Sequence, residues 1–251
     1  MPISEKTVEL NVSRTVIEKM RRTHQINAYS IGATQAQEKQ FGFDVMSTDG
    51  FWCGGLIQYK RKYAMTGGVD RWNLNRTTHR DQHSLLCALE NAGFPVFYCF
   101  PKFDSELALR QWTPPSLWKQ VWWVRPMAIN VPAPVDDHHH VTYNNMTGVW
   151  QVFSESGEEF DPGDVGFSVL EERLLALNRE THSLARLKET TERLIAERWI
   201  QLQKDPVSDE RRRRQLLGTY MGNVLRGLGL IAYDPLPPRL PVVKQNKVIR
   251  G

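Results

Sequence analysis

Cysteine is scarce in this chain of 251 residues, and long hydrophobic runs are missing. The three cysteines, Cys53, Cys87 and Cys99, are odd in number and lack metal-ligand spacing, which argues against a disulfide framework or a zinc finger and indicates reduced thiols. No stretch approaches the roughly 20 apolar residues that span a bilayer, and the N-terminal residues have no signal-peptide core. We therefore expect a cytoplasmic protein with no membrane partner.

Charge of one sign is only slightly in excess. The formal net charge of +4 permits a nucleic-acid partner without requiring one. No acidic residue follows Asp234, so we expect residues 235–251 to form a basic, Pro-rich tail that contributes to nucleic-acid binding. An inert disordered end is the alternative.

The residues that indicate chemistry are concentrated between positions 38 and 62. We expect a short helix that carries Glu38, a strand from about residue 41 that carries Asp44, a turn at Thr48–Gly50, and a second strand over about residues 56–63. A hairpin of these two strands would bring polar side chains from both of them to one place.

Gln58 and Lys60 are expected to share one face of the second strand. Side chains alternate along a strand, so two residues at this spacing point the same way and lie roughly 6 to 7 Å apart. If the two strands pair, Asp44 approaches Gln58, and Glu38 closes the cluster from the side. The pattern predicts one or two carboxylates, an amide and an ammonium around a common point.

Such a donor set is suited to a hard cation. Mg²⁺ prefers oxygen ligands and binds through few protein carboxylates together with water and substrate phosphate. Asp44 is the expected central ligand, with the Gln58 amide oxygen and the Tyr59 main-chain oxygen beside it. Lys60 would supply positive charge near the attacking water and the phosphate.

The arrangement resembles the PD-(D/E)XK nuclease superfamily, in particular its Mrr-type restriction-endonuclease branch with Gln-x-Lys in the last motif. The resemblance rests on Glu38, Asp44, Gln58 and Lys60 within the first hundred residues. It implies an α/β restriction-endonuclease-like core, a mixed sheet flanked by helices. It also implies Mg²⁺- or Mn²⁺-dependent hydrolysis of DNA, with a role in restriction or phage defence by analogy. Gln58 stands where a carboxylate is usual, which removes one negative charge from the site.

Two other readings compete with a DNA-cleaving enzyme. A surface hairpin with Gln58, Lys60 and Lys62 in water would give the same alternation, and a degenerate nuclease fold would serve as a non-catalytic assembly or interaction subunit. RNA as the nucleic acid is a further alternative, because no base-reading module that would favour DNA is recognisable.

Two basic residues outside the catalytic cluster are candidates for contact with nucleic acid. Lys62 follows Lys60 on the same expected strand face. Arg80 lies at the start of a helix expected over about residues 79–91, where a helix N-terminus favours a phosphate. For Arg80 and the neighbouring histidines, His79 and His83, our main interpretation is an ordinary capped and solvated helix start, with phosphate contact as the alternative.

The expected order of elements is also that of a nuclease core. We expect a helix capped by Ser13, the hairpin described above, the helix over about residues 79–91 and a strand over residues 94–100 that is buried on both faces. Further strands are expected over residues 120–131 and, as a hairpin, over residues 141–153. The tryptophans between residues 112 and 150 are interpreted mainly as core residues.

The chain therefore divides into three expected parts. Residues 1–155 form the nuclease-like α/β domain, residues 156–234 a helical hairpin appendage, and residues 235–251 the tail. The appendage consists of a long helix from Ser168 and a second from Ser208 to about Leu228, each with an apolar stripe. We expect a homo-oligomer or a hetero-assembly through residues 168–230.

Overall fold

Within the residues that the structure describes, two five-stranded β-sheets organise the fold, which is mixed α/β as expected. The computed structural model describes residues 2–26, 28–32, 53–63, 67–74, 80–112, 114–129, 139–153, 157–177, 179–203 and 228–233. The helices in these ranges are α1 (Glu5–His24), α2 (Arg80–Asn91), α3 (Glu106–Arg110), α4 (Phe167–Leu175), α5 (Arg179–His182) and α6 (Leu184–Gln203), with 3₁₀ helices at Pro114–Gln120 and Pro126–Ala128. The strands are β1 (Ala28–Gly32), β2 (Cys53–Tyr59), β3 (Lys62–Tyr63), β4 (Val69–Asn73), β5 (Val96–Pro101), β6 (Val121–Val124), β7 (His140–Asn144), β8 (Trp150–Phe153), β9 (Gly157–Phe160) and β10 (Leu228–Tyr233).

Helix α1 begins earlier than the sequence suggests. Ser4 is its N-cap, and its hydroxyl accepts a hydrogen bond from the Thr7 amide. Ser13, which we expected to cap the helix, lies in its interior and is buried, with its hydroxyl 2.6 Å from the Tyr59 hydroxyl. The prediction was wrong because Val8 and Val12 extend the apolar stripe toward the N-terminus, and both are fully buried.

The first sheet has the strand order β1-β10-β2-β5-β6, with β2 in the middle. Strand β2 runs parallel to β5 and antiparallel to β10, so both of its edges are occupied. At Gln58 the backbone neighbours are Leu228 on one side and Tyr98 on the other. The expected pairing of β2 with the segment that carries Asp44 is therefore not found at this position.

The chain passes from the first sheet to the second directly after Tyr59. Lys60 and Arg61 belong to no strand, and β3 then pairs with β4 in the second sheet. The expected single strand over residues 56–63 is thus two short strands in different sheets. The second sheet is antiparallel throughout, with the order β3-β4-β7-β8-β9, and was not predicted as a separate sheet.

The core has two layers, one on each face of the first sheet. The layer between the two sheets contains Phe100 of the first sheet stacked on Trp72 of the second, with ring centroids 5.0 Å apart, and α2 contributes Leu86. The layer on the other face packs α1, α4 and the 3₁₀ helix Pro114–Gln120 against the first sheet. A Cβ at Gly55 would lie 2.7 Å from Leu174 Cδ2, so glycine at this position lets α4 approach β2 closely.

The C-terminal part of the chain contributes to this core. Leu170 and Leu174 of α4 are fully buried, Leu187 of α6 packs in the layer between the sheets, and β10 lies inside the first sheet. Leu228 begins β10 and does not end a helix, and Gly166 precedes α4 where Ser168 was expected as the cap. The described parts of residues 156–234 therefore pack with the first 155 residues. The rest of the expected second helix and the tail at 235–251 lie outside the described residues, and the domain boundaries remain predictions.

Several local predictions are confirmed. Helix α2 starts within one residue of the expected position and is followed by Gly93 at φ +95°, a conformation that suits glycine. Strand β5 is buried along its whole length, and β7 and β8 form the expected hairpin. The strand expected over residues 120–131 covers only Val121–Val124, since the 3₁₀ helix that starts at Pro126 ends it. Within the described residues, no helix is long and apolar enough to cross a membrane.

Candidate functional site

The candidate site lies at the carboxyl end of β2, between the two sheets. Gln58 is 1% exposed and Lys60 is 5% exposed. Gln58 is the register partner of Tyr98, and the Lys60 ammonium lies 6.0 Å from the centroid of the Tyr98 ring, so all three occupy the same face of the first sheet. The shared face agrees with the prediction, but the burial does not. The surface-hairpin alternative would leave this face in water, whereas the layer between the two sheets covers it.

Lys60 is an ammonium group removed from water. Its Nζ donates a hydrogen bond to the Leu74 carbonyl at 3.0 Å, and its main-chain amide donates to the Cys99 carbonyl. Burial lowers the pKa of Lys60 below its ordinary value, an effect that the negative charge of Glu5 partly offsets. A buried charge is costly unless hydrogen bonds and opposite charge compensate it, so a lysine at this position is unusual for a purely structural role.

Two of the predicted metal ligands, the Gln58 amide and the Tyr59 main-chain oxygen, lie side by side. The Gln58 amide nitrogen is 3.2 Å from the main-chain oxygen of Tyr59 and donates to it in the assigned orientation. The Tyr59 side chain points to the opposite face, where its hydroxyl meets Ser13, and burial raises its pKa. In this arrangement the amide nitrogen of Gln58 faces the Tyr59 carbonyl, so a cation shared by the two residues would require the amide group to rotate.

A buried histidine adjoins this cluster and was missed by the sequence reasoning. His83 is 8% exposed, its Nδ1 is 3.0 Å from the Tyr98 hydroxyl, and its Nε2 is 3.2 Å from the Ile129 carbonyl. A carbonyl oxygen only accepts, so Nε2 carries the proton, and Nδ1 accepts from Tyr98. Because His83 belongs to the start of α2, we interpreted it as solvated. Its position three and six residues before Leu86 and Leu89, which are both buried, was the signal that could have identified it.

Burial lowers the pKa of His83 to about 4 and is the largest influence on it. The hydrogen bond to the Ile129 carbonyl raises the pKa, and His139 and Lys60 lower it further. His83 is therefore a neutral imidazole at neutral pH, linked to Lys60 through Tyr98.

The two predicted carboxylates, Glu38 and Asp44, lie outside the described residues. Among the residues that the structure does describe, no group of three or more His, Cys, Asp or Glu side chains could hold a metal ion. The metal-binding roles of Asp44, Gln58 and Tyr59 therefore remain predictions, as does the assistance of Glu38.

Lys62 already has partners. Its Nζ forms an ion pair with Asp70 at 2.6 Å and donates to the Lys102 carbonyl at 2.9 Å. Contact with a phosphate would compete with both of these interactions, so Lys62 is less available than its sequence position suggests. Arg80 is the first residue of α2, and its side chain lies outside the described part of the structure.

Comparisons with known proteins leave the family open. No protein-family model, no curated protein and no solved structure matches the chain. The resemblance to PD-(D/E)XK nucleases thus rests on the Gln-x-Lys pattern, its two upstream carboxylates and the order of elements.

Proposed function

We propose that this protein is a metal-dependent nuclease that hydrolyses a phosphodiester bond of DNA, with Lys60 and Gln58 at the reacting centre. The observation that carries the proposal is the desolvated ammonium of Lys60, which shares a face with the Gln58 amide at the carboxyl end of β2. A cytoplasmic location and a restriction or defence role are parts of the same proposal, by analogy alone.

The cost of burying this lysine supports a functional role. The long aliphatic stem of a lysine usually lets its ammonium reach water, and here it does not. Perturbed ionisable groups are concentrated at functional sites, where their altered charge state is used. Lys60 meets this description, because burial lowers its pKa and no carboxylate lies within ion-pair distance among the described residues.

The topology offers further support for a restriction-endonuclease-like core. The Gln-x-Lys pattern lies at the end of β2, β3 and β4 follow in the second sheet, and α2 then leads into β5, which runs parallel to β2. Apart from the inserted strands β3 and β4, this is the strand–helix–strand order that the resemblance implies. The carboxyl ends of parallel strands are also the usual location of ligand sites in α/β folds.

The described donors fit a divalent cation in part. Gln58 could offer its amide oxygen after rotation of the amide group, and the Tyr59 carbonyl is adjacent to it. The negative charge that Mg²⁺ or Mn²⁺ needs would come from Asp44 and Glu38. A bound ion would polarise the phosphate and lower the pKa of a bound water molecule. Lys60 would stabilise the negative charge that develops on the phosphate, and Gln58 would orient its neighbours.

A plasmid-nicking assay tests the proposal. Wild type with Mg²⁺ or Mn²⁺ should convert supercoiled DNA to the nicked form, and EDTA should abolish the conversion. Asp44→Ala should be inactive, and Lys60→Met, which retains an apolar stem, should lose roughly 10²- to 10³-fold in rate, the typical loss for one transition-state donor. Lys6→Met is the matched control, because Lys6 is exposed and its ion-pair partner among the described residues is Glu9 on the same helix.

Thermal unfolding of each variant separates lost chemistry from lost folding. Cleavage that survives in Asp44→Ala or in Lys60→Met, or that persists in EDTA, would falsify the proposed site. Loss of cleavage counts in its favour only for variants that unfold cooperatively near the wild-type temperature.

A non-catalytic assembly subunit with a degenerate nuclease fold is the second candidate. One observation favours it: the polar heads of both Gln58 and Lys60 donate to main-chain carbonyls, which is how a structural role would use them. If wild type cleaves neither DNA nor RNA with any divalent metal, this candidate replaces the nuclease. Self-association or a partner bound through residues 168–230 would then be the expected activity.

A further inference from the structure

The second sheet has an outer face that carries aromatic and cationic side chains. The register places Tyr63, Arg71 and Thr142 side by side across β3, β4 and β7, and Asn73, His140 and Phe153 side by side across β4, β7 and β8. These two rows point away from the buried layer, because Trp72 and Val141, one residue along each strand, face the core. We call these six residues the outer face.

Among the described elements, β7 pairs with β4 and β8, and β8 pairs with β7 and β9. The aromatic members of the outer face are half-buried, so part of each ring is accessible. Tyr63 and Phe153 are separated by three strand spacings of about 4.8 Å, or about 14 Å across the sheet. The outer face therefore presents two ring positions to a ligand. Between them Arg71 and Asn73 are half-buried and Thr142 is buried.

Each ring is held in a defined orientation. The Arg61 guanidinium carbon lies 4.3 Å from the centroid of the Tyr63 ring. The rings of His140 and Phe153 are parallel within 1°, with centroids 4.8 Å apart. A Cβ at Gly157 would lie 2.5 Å from the Phe153 ring, so only glycine leaves room for the ring in this position. Rings that are already ordered lose less conformational entropy when a flat ligand stacks on them.

The charges on this face suit an anion. Arg61 and Arg71 lie next to the Tyr63 position, and the Arg71 Nε donates to Asn73 Oδ1 at 3.2 Å, which holds the guanidinium over the sheet. Among the described strands, the acidic residue on this face is Glu159, which lies on the distant strand β9 opposite Gln151. Burial, with the neighbouring charges of Arg71 and His139, lowers the pKa of His140 to about 4, so its ring is neutral at physiological pH.

We propose that the outer face binds single-stranded DNA, with bases stacked on Tyr63 and on the His140–Phe153 pair and a phosphate held by Arg71. Cationic side chains interleaved with aromatic rings are the usual means of binding single strands, since every base offers a π-face and every nucleotide a phosphate. A duplex hides the faces of its bases, so a sheet surface with rings favours the single strand. The choice of DNA over RNA rests on the proposed function, whereas the choice of a single strand rests on the outer face alone.

Fluorescence anisotropy of a labelled single-stranded oligodeoxynucleotide, with the full-length chain in EDTA, tests this inference without any hydrolysis. Stacking of one base on a ring contributes roughly 5- to 150-fold in affinity. Tyr63→Leu and Phe153→Leu, which keep apolar bulk, should each weaken binding by a factor in that range. Tyr63→Phe, which keeps the ring, should bind the oligonucleotide as wild type does. Arg71→Gln should reduce the slope of log K against log[salt] by about 0.7, the value for one lost phosphate contact on a single strand.

Two matched variants lie away from the outer face. Trp112→Leu removes a ring that is 40% exposed, next to α3, and Arg14→Gln removes an exposed charge from α1. Neither should change the affinity or the salt slope. Unlabelled duplex DNA and RNA of the same sequence, added as competitors, should each displace the oligonucleotide less effectively than single-stranded DNA.

The inference is overturned if the ring variants bind as wild type does, if the control variants weaken binding equally, or if duplex DNA or RNA competes better than single-stranded DNA. Its failure is distinct from failure of the nuclease. Wild type that nicks plasmid DNA but binds the single-stranded oligonucleotide no better than the ring variants do would contradict the outer-face inference alone. An inactive site with an intact outer face would bind the oligonucleotide and never cleave.

Discussion

Acid should destabilise this protein through His83. The imidazole is 8% exposed, and burial is the main reason that its pKa falls from an ordinary 6.5 to about 4. Above pH 6.5 the ring is neutral in both the folded and the unfolded chain. As the pH falls below 6.5, the unfolded chain binds a proton that the folded chain does not, so the free energy of unfolding decreases until the pH reaches the folded pKa.

The surroundings of His83 explain why protonation is unfavourable. In the neutral ring Nε2 donates to Ile129 and Nδ1 accepts from Tyr98. A second proton on Nδ1 would force the Tyr98 hydroxyl to reverse its role and would place a cation near the Lys60 ammonium. Since each pKa unit corresponds to about 1.36 kcal/mol, the full effect is about 3 kcal/mol, of which about 2 kcal/mol develops between pH 7 and pH 5.

Urea denaturation between pH 7 and pH 5 measures this effect when wild type is compared with His83→Gln, whose side chain has no titratable group. His83→Gln should be less stable at pH 7, because it loses the stack on Tyr98, whose ring centroid is 6.0 Å away. The difference between the two proteins should shrink by about 2 kcal/mol at pH 5. Carboxylates that also titrate in this range affect both proteins equally. A difference that stays constant with pH would refute the assignment of His83 as a buried neutral imidazole.

Three further predictions follow from the packing around β2. Leu170→Ala should lower the free energy of unfolding by about 2 to 5 kcal/mol in urea denaturation, because Leu170 is fully buried. Leu10→Ala, at a side chain that is 62% exposed, should lower it little. Equal small losses in both variants would mean that α4 is not part of the core. Tyr59→Phe should cost about 1 kcal/mol through the lost hydrogen bond to Ser13, and a double-mutant cycle with Ser13→Ala that gives no coupling energy would contradict the bond. Gln58→Glu buries a carboxylate, so this variant should melt at a lower temperature than wild type. Mg²⁺ should raise the melting temperature of the variant more than that of wild type. An equal response of both proteins to Mg²⁺ would count against a cation beside Gln58.

Sequence patterns predicted the helices and strands that are determined by residues close together in the chain. Helix α2 and strand β5 lie close to their expected positions, because apolar spacing, a left-handed glycine and a continuous hydrophobic run act within a few residues. The turn between β7 and β8 is likewise determined by residues close together in the chain. The Asn144 side-chain oxygen accepts from the amides of Met146 and Thr147, and Gly148 adopts φ +73°. The shared face of Gln58 and Lys60 also follows from strand alternation alone.

Partner strands and burial depended on contacts between distant residues. Alternation specifies which residues share a face. The sequence does not specify whether water or a second sheet covers that face. Only the crossing from β2 to β3 after Tyr59 brings the second sheet over Lys60, and only the insertion of β10 gives β2 a neighbour from residue 228 onward. The sequence by itself therefore determined the chemical types, spacing and shared face of the Gln-x-Lys pair. The tertiary structure alone decided that this pair is desolvated, because desolvation depends on which distant segments pack against it.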